Sequence, residues 1–299
     1  MNAAKTPVAT LAALALVVNA FIWGVSWWPL RQLQDLGLHP LWSTALMYGL
    51  IFTTLLAFNL SSLRAFASTP QLWLLAFAAG LTNVGFNWAV TVGDVVRVVL
   101  LFYMMPAWSV LIAWVMLGER PTAASLARLA LAMTGVLIVL KTPDSPWPVP
   151  QGLIDWLALV GGFSFALTNA LLNKLAAAPS GARMLAMFGG GAAMAGAAGL
   201  FGVTQQIVTV PQLSLAVWPI VLGLGLAFCL SNAALQYGAA RLPATTTALV
   251  MLTEILFASG SAALLGAAEF TPRILIGGAL IVLAALLAAR APGSHAAPE

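Results

Sequence analysis

Charge is scarce in this chain. Its 299 residues include twelve Lys and Arg, eight Asp and Glu and two His, so charged side chains make up only 7% of it. A soluble domain carries about a quarter, so a water-facing surface is excluded. The one cysteine, Cys229, can close no internal disulfide and leaves redox compartment undetermined. His39 and His295 have no companions at metal-ligand spacing. Neither His-Glu-x-x-His nor a Walker A or serine-elbow pattern occurs, and Gly189-x-Gly191 follows no strand, so it is not a nucleotide fingerprint. The best remaining acids for catalysis, Glu254 with Asp94 or Asp155, fall at different depths along their helices. We therefore expect no enzyme, no catalytic residue, no metal and no cofactor. The net charge of +4 does not indicate nucleic acid, because the basic residues are spread singly over helix ends.

What the chain has instead is apolar length. Hydrophobic residues are 62% of it and its mean hydropathy is +1.00. Apolar runs cover 8–30, 41–60, 71–92, 95–118, 122–140, 152–175, 183–204, 214–239, 244–267 and 271–290. Each approaches the roughly 20 residues that a helix needs to cross about 30 Å of hydrocarbon. The fold class is an all-α integral membrane protein of ten transmembrane helices. Open sheet edges cannot be satisfied in lipid, and no alternating barrel pattern occurs. With the N-terminus inside, Lys5, Arg64, Arg120, Arg128, Lys174, Arg183, Arg241 and Arg290 fall on the cytoplasmic side against Arg31, Arg97, Lys141 and Arg273 outside. That bias places both termini in the cytoplasm. The first run lacks a small-residue cleavage site and carries Asn19 at its centre, so it reads as a retained span.

The second half of the chain echoes the first. A shift of 149 positions brings Asn83 onto Asn232, Asn87 onto Gln236, Trp88 onto Tyr237, Leu100 onto Leu249 and Met105 onto Glu254. The turn Gly118-Glu119-Arg120-Pro121 then falls against the segment from Gly266 to Pro272. The expected units are a first five-helix repeat at 1–140, a Pro-rich external linker at 141–151, and a second repeat with a short cytoplasmic tail at 152–299. Five is odd, so the second repeat enters the membrane in the opposite sense.

Three features together resemble the drug/metabolite transporter superfamily, EamA-type branch: two five-helix halves, Phe21-Ile-Trp23-Gly24-Val-Ser26 in helix one, and the Gly118-Glu119-Arg120-Pro121 turn with its degenerate partner around Glu269. Within it the chain looks most like the YddG-type exporters of aromatic amino acids. The resemblance spans about residues 8–290 and implies a multi-pass protein of the bacterial inner membrane. It also implies a central cavity between the halves and export of amino acids by alternating access. One departure stands out. Family members often have Glu-Pro in helix nine, whereas Ile255 follows Glu254 here, so no proline marks a hinge at that point.

The candidate site follows from groups that lipid does not favour. Glu254 lies near the centre of helix nine, where a charged side chain costs about 2.5–3.5 kcal/mol on insertion scales. It is read either as a proton-coupling carboxyl or substrate-ammonium partner, or as a hydrogen-bonded strut between helices. Asn19, Asn83, Asn87, Thr168, Asn169, Asn232 and Gln236 place polar groups in apolar helices. Interhelical hydrogen bonding is the plain explanation for many of them. Asn83 with Asn87, and Asn232 with Gln236, are four apart and so share helix faces.

Of the eleven Trp, Trp27, Trp28, Trp42, Trp73, Trp114, Trp147, Trp156 and Trp218 lie near helix ends or in a loop, as interfacial anchors do. Trp23, Phe86, Tyr103, Trp108, Phe163 and Phe165 lie deeper. The expected substrate-binding set is Trp23, Asn83, Phe86, Asn87, Tyr103, Trp108, Phe165, Thr168, Asn232, Gln236 and Glu254, taking aromatic or other apolar amino acids. Another amphipathic metabolite or drug is the alternative, and a passive channel or scaffold the third reading. The lipid bilayer is the one macroscopic partner, and the oligomeric state, a monomer included, stays open. Pro106 predicts a kink in helix four.

Overall fold

A computed structural model describes residues 5–58, 60–92, 95–140, 150–266 and 271–290. Most of the linker (141–149), Asn59, Asp94, Glu269 and the tail from 291 onward lie outside the described residues. The helices are α1 Lys5–Val25, α2 Trp27–Asp35, α3 Pro40–Phe58, α4 Leu60–Ser68, α5 Pro70–Val92, α6 Val95–Phe102 and α7 Met105–Leu117, followed by α8 Ala123–Leu140, α9 Leu153–Lys174, α10 Ser180–Thr204, α11 Val217–Ala239, α12 Ala244–Met251, α13 Glu254–Leu264 and α14 Pro272–Ala289. Among the described residues there is no strand. Among the described residues nine segments are long and apolar enough to cross a membrane, and Ala123–Val139 is a shorter apolar helix. Leu222, Leu226 and Leu230, four apart on α11, are all exposed, which places one face of that helix against lipid. The chain is a multi-pass membrane protein.

The repeat is visible in the helix bounds. Shifted by 149 positions, α6 falls on α12, α8 falls on α14 and the start of α7 falls on the start of α13. Gly118 and Gly266 both adopt φ near +70°, the left-handed conformation that glycine adopts at little cost after a helix. The two halves do not segregate. α5 packs on α9 and α10, α3 on α10, α1 on α11, and α8 on α14. Exchanging the repeats turns the α5–α9 contact into the α11–α1 contact and the α7–α9 contact into the α13–α1 contact, as a pseudo-twofold axis requires.

Small residues let these cross-repeat pairs approach. A Cβ on Gly135 would lie 2.6 Å from the carbonyl oxygen of Gly277, and one on Gly277 would lie 2.6 Å from that of Gly135. A Cβ on Gly80 would lie 2.6 Å from the Gly190 oxygen. Close packing replaces the hydrophobic drive that lipid cannot provide between helices.

Three spans are broken, where Pro106 predicted one. Helix four breaks at Tyr103 and Met104: the Met104 N–H reaches back three residues to Leu101 O (3.2 Å), and Pro106 opens α7 without a donor of its own. Helix nine breaks at the equivalent point, Leu252 and Thr253, with no proline. There the Thr253 hydroxyl donates to Val250 O (2.8 Å), competing with the backbone ladder. Helix one breaks at Ser26, whose hydroxyl donates to Trp23 O (2.8 Å). A hydroxyl bonded to the carbonyl three residues back accompanies the break at two positions, and proline follows it at the third.

The apolar core differs between the two membrane faces. From mid-depth to the face bearing the N-terminus, one continuous cluster joins the halves, including Leu16, Leu72, Leu75, Leu171, Leu172, Leu249 and Leu252. Toward the opposite face the core divides. Leu33, Leu38, Met47, Val217 and Val221 form one cluster, and Ala89, Val98, Leu101 and Ala158 another.

Candidate binding cavity

At mid-depth the bundle holds a cavity with about 760 Å³ of empty space, its open mouth included. One aromatic wall comes from α1, α3 and α11: Trp23 lies 4.6 Å from Phe228, and Phe228 lies 6.1 Å from Tyr48, centroid to centroid. The other comes from α5, α6 and α9. Phe86 lies 4.6 Å from Phe102, and Phe102 stacks 6.0 Å from Phe165.

Polar groups occupy the space between these walls. Asn19 donates to the backbone oxygen of Ser231 (2.8 Å) and to its hydroxyl (2.6 Å), tying α1 to α11. Asn83 donates to Ala79 O (2.8 Å) and shares a side-chain hydrogen bond with Tyr48. Asn87 donates to the Thr44 hydroxyl (2.8 Å). Thr168 is buried with no partner for its hydroxyl. Asn232 sits beside the Met187 sulfur (3.4 Å). Glu254, the acid of the cavity lining, opens α13 directly after the helix break and hydrogen-bonds the Tyr103 phenol. Carboxyl and phenol thus join the breaks of helices nine and four.

The cavity brings together Trp23, Asn83, Phe86, Asn87, Phe165, Thr168, Asn232 and Glu254. Three expected members lie elsewhere. Tyr103 stands behind Glu254 as its hydrogen-bond partner. Gln236 lies one turn beyond Asn232, its carboxamide 2.7 Å from the Asn232 oxygen. Trp108 packs edge-on against Phe163, 5.7 Å away, because the turn before Pro106 rotates α7 relative to α6. Residues that the sequence reading left out of the set include Tyr48, Phe102, Met187 and Phe228. No spacing distinguishes these from a lipid-facing aromatic such as Phe58.

Several interfacial candidates prove to be ties. Trp27 Nε1 donates to Ser261 Oγ (2.9 Å), linking helix one to helix nine, and Trp42 Nε1 donates to Thr209 O (3.0 Å). His39, in the loop before α3, accepts the Leu41 N–H at Nδ1 (3.2 Å), and burial lowers its pKa. It caps a helix.

Residues 10–141 match the EamA-like transporter family. The match covers the first repeat and supports there the resemblance to the drug/metabolite transporter superfamily. A solved crystal structure, 16% identical, aligns with a TM-score of 0.74 over 96% of this chain and 97% of its own. At that identity it is similar in fold. No curated protein matches the chain.

Proposed function

We propose that this protein is a secondary transporter that exports aromatic and other apolar amino acids across the bacterial inner membrane. The observation that carries the reading is the cavity: a carboxyl, amides and hydroxyls held between two aromatic walls at mid-depth. A carboxylate suits a substrate ammonium, and the walls suit a planar apolar side chain, since offset ring pairs add about 0.5–1.5 kcal/mol beyond burial.

The face bearing the N-terminus is taken as cytoplasmic. The continuous apolar cluster packs on that side of the cavity. Alternating access follows if the two repeats exchange packings about their pseudo-twofold axis, bending at the matched breaks of helices four and nine. A passive channel would show neither saturation nor trans-stimulation, and the counterflow test separates it from a transporter.

The test is counterflow of labelled amino acids in proteoliposomes, with orientation read by labelling a cysteine placed at Arg241 in a Cys229→Ser background. Saturable, trans-stimulated exchange of phenylalanine is expected, with Arg241→Cys labelled from the cytoplasmic side. Flux that neither saturates nor responds to trans substrate would overturn the transporter reading, and external labelling of Arg241→Cys would overturn the orientation.

A further inference from the structure

On the N-terminal side of the cavity lies a buried guanidinium with no counter-ion among the described residues. Arg183 is 6% exposed and one of its terminal nitrogens has no hydrogen-bond partner. Among the described residues the charge that acts on it is like-signed, the guanidinium of Arg241. Arg241 itself lies over the Tyr237 ring, 3.8 Å from its centroid. Arg183 also occupies the first turn of the 25-residue helix α10, whose N-cap is Pro179 with no side-chain cap. A helix N-terminus carries about half a positive charge, so a cation there is opposed twice. An unpaired charge in such a place is destabilising, and an anion would relieve it.

A polar row connects this point to the cavity. Arg183 is one turn from Met187, and Gln236 is one turn from Asn232, so each pair shares a helix face. Met187 and Asn232 line the cavity. Gln236 reaches from Asn232 (2.7 Å) to the first turn of α10, where the Ser180 oxygen and the Met184 N–H lie 3.3 and 3.2 Å away. Thr168, which lines the cavity, and Asn169 next to it in sequence are buried with hydroxyl and both amide atoms unpartnered.

We propose that Arg183 is the anchor of a second substrate site, one that takes the carboxylate of the transported solute on the N-terminal side and passes it along Gln236 and Asn232 to the cavity. The proposal rests on the transporter reading and assigns the two charged ends of its amino-acid substrate to different residues. Glu254 addresses the first group and Arg183 the second. An aromatic amine without a carboxylate would use the cavity but not this site.

The experiment compares phenylalanine with phenylalaninamide in proteoliposomes, each supplied from the N-terminal side, for wild type, Arg183→Gln and Arg183→Lys. Loss of a charge-assisted pair predicts that Arg183→Gln raises the half-saturation concentration for phenylalanine about 10- to 100-fold and leaves that for the amide within about 2-fold. Arg183→Lys keeps the charge and is expected to fall between. Equal shifts for acid and amide, or none, would overturn the site, and so would Arg183→Lys behaving like wild type for the acid while monodisperse Arg183→Gln does too. If Arg183→Gln does not fold, Arg183→Lys decides alone: a shift confined to the acid supports the site, and a shift shared by the amide overturns it. Wild-type exchange of phenylalanine in the same vesicles tests the transporter reading separately, so failure of one is distinguishable from failure of the other.

Discussion

Replacing Glu254 by Gln separates the charge of the cavity from its shape. The carboxyl lies at the first residue of α13 and hydrogen-bonds Tyr103 at the matched break in helix four. Its backbone is held closely: a Cβ on Gly24 would come within 2.8 Å of the Glu254 carbonyl oxygen. Gln has the same length and keeps an oxygen for the Tyr103 phenol, so the fold and the tie between breaks are retained. What is removed is the negative charge. A hydrogen bond to a charged group is worth about 1.5–3 kcal/mol, which converts to a rise of roughly 10- to 150-fold in the half-saturation concentration for a substrate ammonium. Phenylpropionate, which has the ring and carboxylate but no amine, is expected to lose nothing. The assay is counterflow by purified, monodisperse protein across about pH 5.5–8, a range in which a proton-carrying carboxyl would also impose a pH dependence that Gln cannot. Tyr103→Phe completes a double-mutant cycle that reports how far the phenol sets the carboxyl's effect. Wild-type rates and half-saturation by Glu254→Gln throughout that range would refute the assignment and leave the carboxyl a structural strut.

The aromatic walls predict selectivity. Phe228→Ala removes a ring that contacts both Trp23 and Tyr48, and is expected to weaken phenylalanine transport about 2- to 13-fold more than threonine transport; equal losses would assign the ring to packing. Trp108→Ala serves as the contrast, since that indole meets Phe163 outside the cavity, and its loss is expected to lower thermal stability without changing the ratio of the two substrates. Gly277→Ala forces a methyl against the Gly135 oxygen, 2.6 Å away, and overpacking of this kind costs about 1–3 kcal/mol. A lower unfolding midpoint in detergent is expected, and an unchanged midpoint would show that the α8–α14 contact is looser than described.

Why some of this was legible in the sequence and some not has a physical reason in each case. A polar group in an apolar helix is costly wherever it faces lipid, so its position alone marks an interior face. Asn83, Asn87, Asn232 and Glu254 stood out for that reason and all line the cavity. An aromatic ring incurs no such cost: Phe102 and Phe228 line the cavity while Phe58 is 87% exposed, and nothing in their spacing tells them apart. Spacing also identifies a face without saying how deep along it the cavity reaches, which is why Gln236 was grouped with Asn232 although it lies one turn further on.

The breaks follow the same rule. Proline announces itself because it lacks a donor, whereas Ser26 and Thr253 act through hydroxyls that elsewhere sit in unbroken helices, as Thr82 does while donating to Ala78 O (2.8 Å). Thr253 differs from Thr82 in its bond to the carbonyl three residues back, where a tight turn replaces the regular ladder. The repeat carried the information that local chemistry did not. Because the shift of 149 positions superposes α6 on α12 and the start of α7 on that of α13, the break that Pro106 marks in helix four implies a break just before Glu254 in helix nine. Two helices that break at matched depths, one of them at the cavity's acid, would give the proposed exchange of packings a place to act on the charged end of a substrate.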